Sequence, residues 1–291
     1  VNTMDLPVVA GVDGSEESLR AVDRAADEAA LRGAPLRLVY ASLWERYEGS
    51  LIAQEVGKPV EEVMARDVMG AAERRAHQRR PGLVVTTAVL AEEPEFGLVN
   101  ESSLARLVVL GRRGRSGVAE LLLGSVSLSV AAHAHCPVVV LRGRPEEPAA
   151  PGRVVLGVAG KGACPAAVRF AAEEAALRGV PLEAVRAWRR PAHTAAGHPP
   201  LSGRPSRTPE EEAAGALEEA LRQDLPDGLR VCRRTAEGPA RDVLVAASRD
   251  AGLLVVGARR RTGRLGLRLG RVAHGVLHHA DCPVAVVPEP A

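Results

Sequence analysis

Slid along itself by 146 positions, the chain meets its own pattern again. Leu31-Arg32-Gly33-Ala34-Pro35-Leu36 falls on Leu177-Arg178-Gly179-Val180-Pro181-Leu182, and Gly11-Val12 falls on Gly157-Val158. Gly111 meets Gly257, Gly124 meets Gly270, and Cys136-Pro137 meets Cys282-Pro283. One offset that holds from near the first residue to near the last is the mark of a duplicated unit. The chain therefore divides into a first domain over residues 1–145 and a second over 152–291. Glu146 to Gly152, with Pro148 and Pro151, is the linker between them.

Within each copy, apolar runs of strand length alternate with helical stretches, the pattern of a parallel sheet covered on both faces. In the first copy Val8 to Val12 is a short strand. Ser15 caps a helix whose first turn holds Glu16 and Glu17, where the helix dipole favours acids. That helix runs to Arg32 and stops at Gly33. Leu36 to Ala41 reads as the second strand, Val60 to Arg80 as a helix, and Leu83 to Leu90 as the third strand. A short helix follows near Glu95 to Ser103, then a fourth strand from Leu107 to Leu110. After a loop from Gly111 to Leu123, a helix starts near Ser125, and Pro137 opens the fifth strand. In the second copy, Arg190 to Arg207 reads as a mobile loop rich in Pro, Gly and Ser. Thr208-Pro209-Glu210-Glu211 ends it as a capping box with proline at the first helical position.

Composition narrows the function classes. With 38 basic and 36 acidic residues, the formal net charge of +2 supplies no global field for nucleic acid. The arginine clusters also lack the interleaved aromatics that stack on bases; aromatics are 2% of the chain. Cys136, Cys164, Cys232 and Cys282 form no Cys-x-x-Cys pair and no zinc spacing. His274 and His278 stand four apart on a helix, a spacing that holds metals, but no acidic or cysteine partner accompanies them. Val1 to Pro7 shows no secretory pattern, and a cytoplasmic location is expected. Leu121 to Leu141 carries no Asp, Glu, Lys or Arg, but Gly124, three serines, two histidines and Pro137 break it. A short helix and a strand fit that stretch better than a membrane span.

The informative segment is Gly111-Arg112-Arg113-Gly114, then nine residues, then Gly124-Ser125-Val126-Ser127. A strand delivers Gly111, and a helix opens at Ser125. Glycines let phosphate approach the main chain, and the free N–H groups of a helix start favour an anion. Ser125 and Ser127 add hydroxyls. The plain alternative is that such glycines are only turns, and that Asp13 only bonds its own backbone at a strand end.

Gly-x2-Gly-x9-Gly-Ser after a short apolar strand resembles the ATP-binding motif of the universal stress protein family. Val8-Val9-Ala10-Gly11-Val12-Asp13-Gly14-Ser15 is similar to that family's first strand with its adenosine-contacting aspartate. The likeness covers nearly the whole chain, as two tandem domains. It implies two doubly wound α/β domains, each a five-stranded parallel sheet in strand order 3-2-1-4-5 flanked by helices. Strands one and four then flank the switch point where such sheets bind ligands. By resemblance, Gly11 and Val12 lead Asp13 to the adenosine, and Ala41 sits beside the base. Gly111, Gly114, Gly124, Ser125, Val126 and Ser127 surround the ribose and phosphates. The implied ligand is ATP, with magnesium as its companion cation. The implied role is a nucleotide sensor or stress-response regulator, with a homodimer and an unidentified protein partner, and no nucleic acid or membrane. The alternatives are a slow ATPase or nucleotide hydrolase, and an interaction module with a vestigial pocket. Around the glycine loop no catalytic acid or base is identifiable.

The second copy departs from this motif. Ala159 stands at the place of Asp13, Arg260 at that of Gly114, and Arg271 at that of Ser125. A degenerate site is expected there, although Arg259, Arg260, Arg261 and Arg271 can also bind an anion by charge. Val138 to Leu141 and Val284 to Val287 are matching apolar strands at the sheet edges. An uncovered apolar edge is normally paired or shielded, so the two halves are expected to pack through these strands about a pseudo-two-fold axis.

Overall fold

A computed structural model describes residues 6–43, 60–114, 123–142, 152–159, 164–190, 207–223, 225–258 and 269–289. The expected linker and the loop from Arg190 to Arg207 fall almost wholly outside these residues, as do Arg259, Arg260, Arg261 and Gly263.

The first half contains β1 (Val8–Gly11), α1 (Glu16–Arg32), β2 (Leu36–Ala41), α2 (Val60–Arg79), β3 (Val85–Leu90), α3 (Pro94–Glu101), β4 (Leu107–Leu110), α4 (Ser125–His133) and β5 (Val138–Val140). The second half repeats it as β6 (Arg153–Gly157), α5 (Pro165–Arg178), β7 (Leu182–Trp188), α6 (Pro209–Ala220), β8 (Val231–Glu237), α7 (Ala240–Ser248), β9 (Ala251–Ala258), α8 (Arg271–His279) and β10 (Val284–Pro288). All ten strands form one sheet in the order β3-β2-β1-β4-β5-β10-β9-β6-β7-β8. Each half has the expected internal order of 3-2-1-4-5. Among the described residues, the span from 123 to 141 is a short helix and a short strand, and no helix is long and apolar enough to cross a membrane.

Local chemistry sets the helix ends. The Ser15 side chain accepts from the Ser18 amide and opens α1; Gly33 closes it in the left-handed region at φ 60°. Thr208 and Glu211 form the expected capping box at the start of α6, with Pro209 in the first turn. Helices α1, α2, α5 and α6 cover one face of the sheet with an Ala-rich layer. Helices α3, α4, α7 and α8 cover the other. With so few aromatics, close approach of small side chains does the filling that large rings do elsewhere.

The halves join through their fifth strands. β5 and β10 run antiparallel, with Val139 opposite Ala285, its own counterpart at the 146-residue offset, and Val138 and Val140 opposite Val286 and Val284. The pseudo-two-fold axis therefore passes through the Val139–Ala285 pair. These central residues are buried, so neither fifth strand is left as an apolar edge.

Above that seam α1 and α5 meet through ions rather than methyl groups. Glu28 and Glu174 are each 1% exposed. Arg32 and Arg178 each pair with both carboxylates, and Arg24 adds a contact to Glu28 at 2.7 Å. Burial raises the Glu28 pKa, but Arg24, Arg178 and Arg32 outweigh it and hold the carboxyl down at about 2.

Candidate nucleotide site

In the first half, the C-terminal ends of β1 and β4 lie side by side at the switch point. Asp13 lies two residues past the end of β1. Its Oδ1 accepts from the Ser15 amide at 2.9 Å and from the Ser15 hydroxyl at 2.6 Å. This is the local turn that an aspartate makes at a strand end. It also fixes the carboxylate, because the other oxygen, Oδ2, is turned toward the glycine loop. A Cβ on Gly114 would lie 2.4 Å from that oxygen. The loop after β4 is thus folded against the carboxylate after β1, and only glycine leaves room for the approach.

The remaining glycines divide by role. A Cβ on Gly11 would strike Leu110 at 2.7 Å, and one on Gly111 would strike the Glu17 carbonyl of α1, also at 2.7 Å. Those two positions serve the packing of helices on strands. Gly124 is the N-cap of α4 and makes no side-chain cap bond; its amide donates to the Arg112 carbonyl at 3.0 Å. Gly124 therefore ties both ends of the long loop together and leaves the first turn of α4 open to an outside acceptor.

The hydroxyls also separate. Ser125 is exposed at the first position of α4 and donates to Glu95 Oε1 on α3 at 3.2 Å. Ser127 is buried and donates to the Gly111 carbonyl at 2.8 Å, so it holds the loop rather than facing the crevice. Val126 is half-buried against the α3–α4 layer. Val12 belongs to the buried core, and its amide donates to Val39 in β2. Ala41 ends β2, half-buried, and a Cβ on Gly97 of α3 would lie 3.5 Å from its side chain.

Positive charge gathers behind this loop. Burial, reinforced by Arg112 and Arg113, pulls Arg142 down to about 10. Arg142 donates to the His278 carbonyl of α8, while its Nε and Nη1, and the Nε of Arg112, are buried without an acceptor among the described residues. Three guanidiniums at one end of the loop favour an anion there. Nothing in the repeat pointed to Arg142, because Pro288 stands at its counterpart. Its part emerges only when β5 is laid beside the second half. Glu95 was likewise invisible in sequence, because its link to Ser125 crosses from α3 to α4.

The model of the universal stress protein family matches this chain twice, over residues 6–142 and 151–288. The chain belongs to the universal stress protein family. Full-length relatives agree. A universal stress protein of Mycobacterium bovis is 34% identical, with 96% of each chain covered. One of Mycolicibacterium smegmatis is 33% identical, again over 96% of each. A universal stress protein structure from Archaeoglobus fulgidus superposes over 100% of both chains with a TM-score of 0.72 at 16% identity. A second, from Pseudomonas aeruginosa, gives 0.60 over 99% of this chain and 95% of that one at 16% identity. These two structures share the tandem fold.

The second universal stress protein domain keeps the same frame without the same rim. A Cβ on Gly157 would strike Leu244 at 2.8 Å, and one on Gly257 would strike Cys164 at 2.6 Å. Gly270 caps α8 as Gly124 caps α4. Ala159 follows β6 with no carboxylate, and Arg271 begins α8. Elsewhere, His274 and His278 stack with ring centres 4.6 Å apart. Among the described residues no group of three or more His, Cys, Asp and Glu side chains converges on a metal position. Cys136 and Cys282 are buried, and burial pushes both thiols up to about 12, consistent with packing roles.

Proposed function

We propose that the first half binds ATP, and that the bound nucleotide serves as a signal or stabilising ligand rather than as a substrate turned over at enzyme rates. The observation that carries this reading is the approach of Gly114 to Asp13. It joins a carboxylate able to accept from a nucleoside to a loop whose far end opens α4 toward phosphates. Gly124 and Ser125 then hold the phosphate side, Ala41 borders the base, and Arg112, Arg113 and Arg142 offset the charge. Magnesium would arrive with the triphosphate, since such ions keep most of their shell of water and phosphate oxygens. The described residues do not build a cage for it.

The direct test is to heat-denature protein purified without added nucleotide and identify what the supernatant contains. Calorimetry with ATP then gives the stoichiometry. The expected results are a released adenine nucleotide and one tight site per chain. Phosphate release faster than about 1 per second would instead favour an ATPase. An empty supernatant together with no heat of binding would leave an interaction module with a vestigial pocket. We further propose a cytoplasmic, dimeric regulator acting through a protein partner.

A further inference from the structure

The crevice of the second half is not filled in. A cavity of about 580 Å³ opens between the ends of β6, β7 and β9 and the start of α8. That volume lies within the range of small-molecule sites. Its position matches the nucleotide crevice of the first half, but its chemistry does not. Among the described residues eighteen line it, and the polar side chains among them are Arg186, Arg271 and the Cys164 thiol. The rest are aliphatic or glycine, with Val158, Val185, Leu244 and Val256 forming the walls.

The two arginines set what such a cavity accepts. Arg186 stands in β7 at the place where the first half has Tyr40. Its Nη1 donates to the Val158 carbonyl at 3.2 Å, covering a main-chain acceptor at the end of β6. Its Nε is buried without an acceptor among the described residues, and burial lowers the guanidinium's pKa. Arg271 lies exposed in the first turn of α8, whose N-cap, Gly270, supplies no side-chain acceptor. Ala159 removes the carboxylate that Asp13 offers in the first half. The lining side chains therefore bring two cationic donors to an apolar cavity and no carboxylate. A nucleoside's several donors find no side-chain carboxylate among these residues, and a buried donor left unpaired is costly. A molecule with an apolar body and one acidic end pairs the buried donor and fills the walls.

We propose that the second half's crevice binds an apolar molecule carrying a single anionic headgroup, so that the tandem chain reads two ligands of different chemistry. The headgroup is a carboxylate or a phosphate monoester, and the body is aliphatic. The inference stands on the second cavity alone and does not require that the first half bind ATP.

Calorimetry on the full chain with decanoate, decyl phosphate and decanol tests it, each with and without saturating ATP. The expected result is that at least one anion binds at one per chain, undisturbed by ATP, and at least tenfold more tightly than decanol. The preferred anion identifies the headgroup. Arg186→Leu and Arg271→Ala should each weaken that binding about tenfold or more, the usual worth of a charge-assisted hydrogen bond. Arg271 is exposed, so its variant reports on the site even if Arg186→Leu fails to fold. The proposal is overturned if neither anion binds, if decanol binds equally well, if Arg271→Ala has no effect, or if ATP displaces the anion.

Discussion

Gly11 and Gly157 both lie against leucine side chains, and Gly111 and Gly257 both admit the first turn of a helix against the end of a strand. At these positions the two halves are alike because the sheet needs the same close approach in both. Gly114 is different. Its neighbour is the Asp13 carboxylate, and its counterpart in the second half is Arg260, paired with Ala159 in place of the aspartate. The carboxylate and the glycine that approaches it are lost together. The comparison sorts the glycines of one motif into those that hold the fold and the one that meets the carboxylate of the candidate site. A repeat inside one chain performs that sorting without any other sequence.

The same asymmetry reaches the seam between the halves, and there the largest effect is expected. Among the described residues Glu28 meets Arg24, Arg32 and Arg178, whereas Glu174 meets Arg32 and Arg178. Phe170 occupies the place that Arg24 has in the first half. Removing one partner from a buried ion cluster strands the others, at a cost of about 3–5 kcal/mol. Glu28→Gln should fall in that range by urea unfolding, and Glu174→Gln should cost less. Equal losses would mean that Arg24 contributes nothing and that the seam is energetically symmetric.

The seam also predicts a pH response. Glu28 is held at about 2 in the folded chain, against an unfolded value of about 4.3. Because the folded value is the lower one, this contribution is complete above the unfolded pKa and is lost as pH falls through the folded one. Thermal midpoints of the parent should therefore drop between about pH 5 and 2 more steeply than those of Glu28→Gln. Parallel curves would show that other carboxylates dominate acid unfolding.

At the crevice, Gly114→Ala forces a methyl group onto Asp13. Overpacking of this kind costs about 1–3 kcal/mol, or roughly 5- to 150-fold in ATP affinity by calorimetry. The complementary experiment rebuilds the second half: Ala159→Asp, Arg186→Tyr, Arg260→Gly and Arg271→Ser together copy the first-half residues. A second, weaker ATP site should appear in the titration. If it does not, the difference between the halves extends beyond these four positions.

Much of this was legible in the sequence, and the reasons are specific. The duplication gave the domain organisation, because aligned Gly33 and Gly179 end equivalent helices. The packing of β5 against β10 followed from two apolar edge strands needing cover. Asp13, Gly114 and Gly124 were legible because each is tied to a strand or helix end that the pattern marks. What escaped were contacts between elements far apart in the chain: the cluster of Glu28 with Arg178, the reach of Arg142 to α8, and Ser125 with Glu95. A one-dimensional pattern carries no record of which charged residues become neighbours. Ser127 shows the opposite difficulty. Its place in the motif suggested a phosphate donor, but two residues along the helix, about 200° of rotation from Ser125, turn it inward to the Gly111 carbonyl.

That distinction between the two hydroxyls supplies the smallest and sharpest test. Ser125 is exposed at the first turn of α4, held by a 3.2 Å bond to Glu95 that a phosphate oxygen can outbid. Because the hydroxyl gives up its bond to Glu95 to gain the phosphate, the net loss in Ser125→Ala is about 1 kcal/mol, which should weaken ATP about fivefold and leave unfolding nearly unchanged. Ser127 is buried and donates to the Gly111 carbonyl of the loop. Ser127→Ala leaves the Gly111 carbonyl short of a donor, so it should lower the thermal midpoint and weaken ATP only through the loosened loop. Measuring both properties on both variants separates a residue that touches ligand from one that positions the loop. If Ser127→Ala weakened ATP more than Ser125→Ala while leaving the midpoint unmoved, Ser127 would have to turn toward the ligand on binding, and the assignment of the two hydroxyls would be reversed.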